Sequence, residues 1–118
     1  MSSEELACAL VQREGDRAVV QVSGAMDFDS SATLEHLLAR LLQEGARHLV
    51  LDMAAVGFCD SSGINALIRS LALARQETGT LALAATRPQV RHVLELIGVD
   101  AVITNYPTVA LALDSTRT

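Results

Sequence analysis

Apolar residues come in short blocks along this chain, and the spacing inside a block switches between continuous runs and helical repeats. Leu6 to Val11 and Ala18 to Val22 read as two strands, and Gly15-Asp16 in the polar stretch between them is a turn signal. The two runs are predicted to pair as an antiparallel hairpin. Ser23-Gly24 is predicted to end the second strand, leaving Ala25-Met26-Asp27-Phe28-Asp29 as a loop and Ser30 or Ser31 as the cap of a helix. Leu34, Leu37, Leu38, Leu41 and Leu42 then recur at helical spacing, and Gly45 stops the run.

Arg47 to Asp52 is a short strand whose apolar centre does not alternate, which predicts cover on both faces, at least in part. The next apolar stretch breaks at Asp60-Ser61-Ser62-Gly63. Ile64, Leu67, Ile68 and Leu71 then form a helical stripe that closes toward Gly79. Thr80 to Ala85 reads as a strand, Pro88 stands where a first-turn proline is tolerated, and Val90, Val93, Leu94 and Ile97 make a third stripe ended by Gly98. Val102 to Thr104 is predicted as a last strand and Pro107 to Leu113 as a weak helix, with Asp114 to Thr118 fraying.

This order predicts one α/β domain over residues 1–118, with a mixed sheet of about four to five strands and about four helices. The N-terminal hairpin must be antiparallel. The strand-helix-strand units after it are expected to be parallel, right-handed crossovers. A chain of this length buries roughly two thirds of the surface that its unfolded form exposes. Only Phe28, Phe58 and Tyr106 are aromatic, so the core must be built from Leu, Val, Ile and Ala.

Charge narrows the function. The formal net charge is −5, and all nine basic residues are arginines scattered singly. With neither a basic stripe nor an aromatic stacking platform, the composition argues against nucleic-acid binding, and the acidic balance argues against adhesion to anionic membranes. Cys8 and Cys59 have neither metal-site nor disulfide-framework spacing. The polar, acidic start and the lack of a long apolar run point to a cytoplasmic location.

The chemistry is concentrated in Val56-Gly57-Phe58-Cys59-Asp60-Ser61-Ser62-Gly63-Ile64. Two hydroxyls at a helix start can cap the helix, act as nucleophiles or accept a phosphate. A nucleophile elbow needs glycine two residues before the serine, but Cys59 and Asp60 stand at those positions. His36 and His92 fall inside predicted helices, and His48 opens a strand at the end away from the loop. Asp27, Asp29, Asp52 and Asp60 lack the spacing of a known calcium loop, so no metal site is assigned. The Asp27 loop, Asp52 and Asp60 are all predicted at strand ends, on the rim where open α/β sheets bind ligands. A cap by Ser61 or Asp60 and a phosphoacceptor at Ser62 are compatible, and both readings stay open on the residues alone.

Two segments resemble the STAS domains of anti-sigma factor antagonists and of sulfate-transporter tails. Val22-Ser23-Gly24-Ala25-Met26-Asp27 is similar to that family's strand followed by Gly-x-Leu/Met-Asp, and Phe58 to Ile64 is similar to its Phe-x-Asp-Ser-Ser-Gly-Leu. The pattern departs at Cys59, Ile64 and Asn65, none of which removes the acceptor hydroxyl. The resemblance implies a regulatory domain with no catalysis and no cofactor of its own. It would bind an anti-sigma factor that is a serine kinase of the histidine-kinase-like ATPase fold, and so release the sigma factor. ATP and magnesium belong to that partner. Phosphorylation of Ser62 would end the interaction and a PP2C-type phosphatase would restore it. Asp27, Asp60, Ser61 and Gly63 would join Ser62 in the partner-binding surface of a monomer or weak dimer. The alternative within the same resemblance is a component of a lipid-transport complex or stress-sensing assembly. The intact Ser61-Ser62 pair favours the sigma pathway.

Overall fold

The computed structural model describes residues 6–27 and 31–116. Strands β1 (Ala7–Glu14) and β2 (Arg17–Met26) form the expected hairpin about Gly15, whose φ of 61° lies in the left-handed region that glycine adopts freely. The chain continues through α1 (Ser31–Gln43), β3 (His48–Cys59), α2 (Ser61–Gln76), β4 (Thr80–Ala84) and α3 (Pro88–Ile97). A 3₁₀ turn (Val99–Ala101), β5 (Asn105–Tyr106) and α4 (Val109–Asp114) complete it. The sheet order is β1-β2-β3-β4-β5, antiparallel at the first pair and parallel thereafter, as expected of the mixed α/β class.

Most of the core lies on one face of the sheet. Leu34, Leu38 and Leu41 of α1, Ile64 and Leu67 of α2, and Val90 and Leu94 of α3 pack there against Val20, Val22, Leu49, Leu51 and Leu83. On the other face, Ala112 of α4 closes over Val19, Val50 and Ala84, with Tyr106, Val109 and Leu113 around them. The non-alternating centre of β3 is thus buried on both sides, as its sequence predicts.

Several boundaries differ from the sequence reading. Ser23-Gly24 does not end β2, because Ala25 and Met26 still pair with Phe58 and Cys59 of β3. The central strand likewise runs on past Asp52, where its end is read from the sequence, to Cys59, so Val56 to Cys59 belong to it. The last strand is Asn105–Tyr106, because residues 99–101 form a 3₁₀ turn and Ile103 is drawn into the core. The final helix begins at Val109, where the Thr108 hydroxyl accepts from the Leu111 N–H at 3.1 Å, and it includes Asp114 where fraying was expected. Ser30 and residues 117–118 lie outside the described residues.

The extra length of β3 is taken up by two bulges. Between Asp52 and Cys59, β3 takes seven steps beside five of β2 from Gln21 to Met26. One added residue falls opposite Val22 and the other at Gly57. Burial in this stretch therefore follows every third residue, with Met53, Val56 and Cys59 inside, whereas Ala54, Ala55, Gly57 and Phe58 are exposed. Beyond Asp52, which pairs with Ala84, β3 has no β4 neighbour.

Candidate functional site

The site grows out of the paired ends of β2 and β3. Met26 lies opposite Cys59, and the Asp60 N–H donates to the Met26 carbonyl at 3.2 Å. Asp27 and Asp60 therefore leave the sheet side by side, and the two segments singled out in the sequence meet here. Asp52 does not join them. It sits in the middle of β3, about 20 Å back along the strand at ~3.3 Å per residue, and its Oδ1 accepts from the Ala54 N–H at 3.1 Å.

Asp60 is the N-cap of α2. Its backbone is extended (φ −106°, ψ −171°), and its Oδ1 accepts from the N–H groups of Ser62 at 2.9 Å and Gly63 at 3.1 Å. One carboxylate oxygen thus satisfies two of the donors that every helix start leaves without intrahelical partners, and its charge lies at the positive end of the dipole. That assigns the cap to Asp60 and leaves the Ser61 side chain without a capping role. Ser61 is exposed and Ser62 half-buried in the first turn.

Gly63 fixes how closely this turn approaches the sheet. A Cβ added there would stand 2.3 Å from the Met26 carbonyl oxygen and 2.8 Å from the Met26 Cβ, so only glycine lets α2 start against the end of β2. The same glycine is buried. Behind the turn, Cys59 is buried too. Burial first, and the Asp60 carboxylate second, push its thiol up to about 11, which keeps it protonated and inert near neutral pH.

The exposed flank of α2 continues from the rim through Ser61, Asn65, Ile68 and Arg69. Arg69 forms a two-point ion pair with Glu35 of α1, Nε to Oε1 at 3.0 Å and Nη2 to Oε2 at 2.9 Å, which ties this flank to the neighbouring helix. Phe58, just ahead of the cap, is half exposed at 50%. The sequence reading gives Phe58 no surface role; its exposure goes with the bulge at Gly57, where Val56 and Cys59 point inward and Gly57 and Phe58 outward. No signal in the sequence places Arg87 here either, yet its Nε donates to the Ala54 carbonyl at 2.8 Å.

A STAS domain family model matches residues 8–112. The chain belongs to the STAS domain family. Among STAS relatives, BtrV of Bordetella bronchiseptica, provisionally named an anti-sigma factor antagonist, is 30% identical over 77 residues, covering 65% of this chain and 66% of that protein. The anti-sigma F factor antagonist of Paenibacillus polymyxa is 26% identical over 96 residues, covering 80% of this chain and 82% of the relative. In three dimensions the chain is similar to the crystal structure of an anti-sigma factor antagonist from Mycobacterium paratuberculosis, with a TM-score of 0.85, 28% identity and 100% of each chain covered. Among the described residues, no helix of this STAS domain is long and apolar enough to cross a membrane.

Proposed function

We propose that this STAS domain is an anti-sigma factor antagonist whose affinity for an anti-sigma factor serine kinase is set by the charge on Ser62. The observation that carries this reading is the helix start itself. Asp60 takes over the cap, and Ser61 and Ser62 stand in the first turn on the rim beside Asp27. The partner would approach this rim and the outer flank of α2, with Asp27, Asp60, Ser61 and Ser62 in its footprint; Gly63, read from the sequence as part of that surface, is buried beneath it and shapes the turn.

In the transfer step the Ser62 hydroxyl oxygen attacks the γ-phosphorus of the partner's ATP. A new O–P bond forms, the bond to ADP breaks, and the hydroxyl proton passes to a base of the kinase. The STAS domain supplies position only. Once attached, the phosphate adds about −1.5 to −2 charges. The helix dipole favours it by up to about 1 kcal/mol at an exposed site. The Ser62 and Gly63 N–H groups, however, are already held by Asp60, so the phosphate must either displace that carboxylate or lie beside it. At a dry interface this excess negative charge opposes docking. A PP2C-type phosphatase would reset the switch, and the cytoplasm is where such partners meet.

The test is intact-mass analysis after incubation with a purified anti-sigma factor serine kinase and Mg·ATP, followed by peptide mapping. One added phosphate on Ser62, lost in Ser62→Ala, is the expected result. Modification elsewhere, or none, overturns the reading.

A further inference from the structure

The bulged half of β3, which leads into the cap and the acceptor, lies beyond the reach of β4. Its first bulge is held by two side chains. Asp52 Oδ1 accepts the Ala54 N–H at 3.1 Å, and Arg87 Nε donates to the Ala54 carbonyl at 2.8 Å, so both backbone polar groups of one bulge residue are taken by side chains. Arg87 Nη1 also lies 3.6 Å from where a side chain on Gly57 would begin. The guanidinium therefore reaches from the first bulge to the second, one residue short of Phe58.

The loop that delivers Arg87 is built to aim it. Ala85 has a φ of 57°, a region alanine rarely adopts, and is held there by its N–H donating to the Tyr106 carbonyl at 3.0 Å. Thr86 Oγ1 and Asn105 Oδ1 lie 2.9 Å apart in a hydrogen bond. Arg87 is then the N-cap residue of α3 in an extended conformation, fixed further by Pro88; its guanidinium, a donor with no acceptor, cannot cap the helix and points back to β3. β5, the β4–α3 loop and β3 are thus linked in series to the segment that ends at Asp60.

We propose that Arg87 is a positioning residue for Ser62. By bonding the first bulge of β3 and lying beside the second, it sets where Phe58, Asp60 and the first turn of α2 are presented to the partner. This role rests on the phosphoacceptor reading above. The brace acts before the partner arrives, so its loss disorders the docking surface and weakens encounter while leaving the transfer step intact once the complex forms.

Amide hydrogen exchange on the free protein and steady-state phosphorylation by the kinase that modifies the wild type test it together, using Arg87→Ala, Arg87→Lys and Val90→Ala. Arg87→Ala is expected to speed exchange at least threefold across residues 54–60. It should raise KM for the kinase about fivefold, the size expected for loss of one ordinary hydrogen bond, with kcat within twofold. Arg87→Lys, which can still donate to the Ala54 carbonyl, should recover most of the KM. Val90→Ala loosens α3 in the core but leaves the brace, and should leave KM unchanged. Wild-type KM and exchange in Arg87→Ala, or an equal rise in Val90→Ala, overturn the role. A wild-type chain that no kinase modifies overturns the phosphoacceptor reading and this role with it, and the exchange data then still decide whether the brace exists.

Discussion

The carbonyl oxygen of Met26 and the Cα of Gly63 are packed so closely that a methyl group on Gly63 would lie 2.3 Å from that oxygen. The obstacle is backbone and not a flexible side chain, so neither partner can yield without opening the junction of β2, β3 and α2. Replacing Gly63 by alanine is expected to cost about 3 kcal/mol or more, at the upper end for overpacking. Urea denaturation checks this. A loss below about 1 kcal/mol would show that α2 can start elsewhere on the sheet.

Asp60 contributes through one oxygen shared by two N–H groups. Asp60→Ala should lower stability by about 1 kcal/mol, the usual worth of an N-cap, and Tm by about 4 °C. Asp60→Asn keeps an acceptor oxygen and should lose less than half of that. Equal losses in the two variants would mean that charge at the helix start outweighs the hydrogen bonds.

At Ser62 the expected contrast is in binding. Ser62→Asp should bind an anti-sigma factor kinase at least tenfold more weakly than the wild type, about 1.4 kcal/mol. Ser62→Ala should bind normally and resist modification. Isothermal titration calorimetry with the purified kinase measures both, and equal affinities for the two variants would sink a charge switch.

The two thiols make a prediction about pH. Burial pushes Cys8 up to about 11, and burial with the Asp60 carboxylate does the same for Cys59, against an ordinary value of 9.0. The neutral thiol is the form favoured in the folded state. The stability this contributes is complete below pH 9, and it is lost as pH rises toward 11, because the unfolded chain ionises first. Denaturant midpoints should therefore fall between these pH values, and less so in a Cys8→Ser, Cys59→Ser double variant. At pH 8 each folded thiol should be alkylated about a hundredfold more slowly than in denaturant, because so much less of it is thiolate.

Much of this was legible in the chain. The leucine stripe of α1, Ile64, Leu67 and Leu71 of α2 and the glycine-punctuated ends follow from helical period and turn chemistry, which act within a few residues, whereas Ile68, read as part of the α2 stripe, is 42% exposed. The β1–β2 hairpin could be read at Gly15 for the same reason. The pairing of the Asp27 loop with Asp60 was foreseen as a shared rim, and the two aspartates do follow the paired residues Met26 and Cys59. The placement of Asp52 on that rim failed, because the length of a strand beyond its apolar centre depends on what pairs with it.

The local sequence determined that a helix begins at the Asp-Ser-Ser-Gly run and that its first turn carries two hydroxyls, since capping and periodicity are short-range effects. It left the cap open between Asp60 and Ser61. Tertiary structure decided for Asp60, placed Gly63 against Met26, turned Phe58 outward and brought Arg87 from 33 residues away in sequence to the Ala54 carbonyl. Those outcomes depend on the register of β2 against β3, and register is fixed by pairing and bulges between segments distant in sequence.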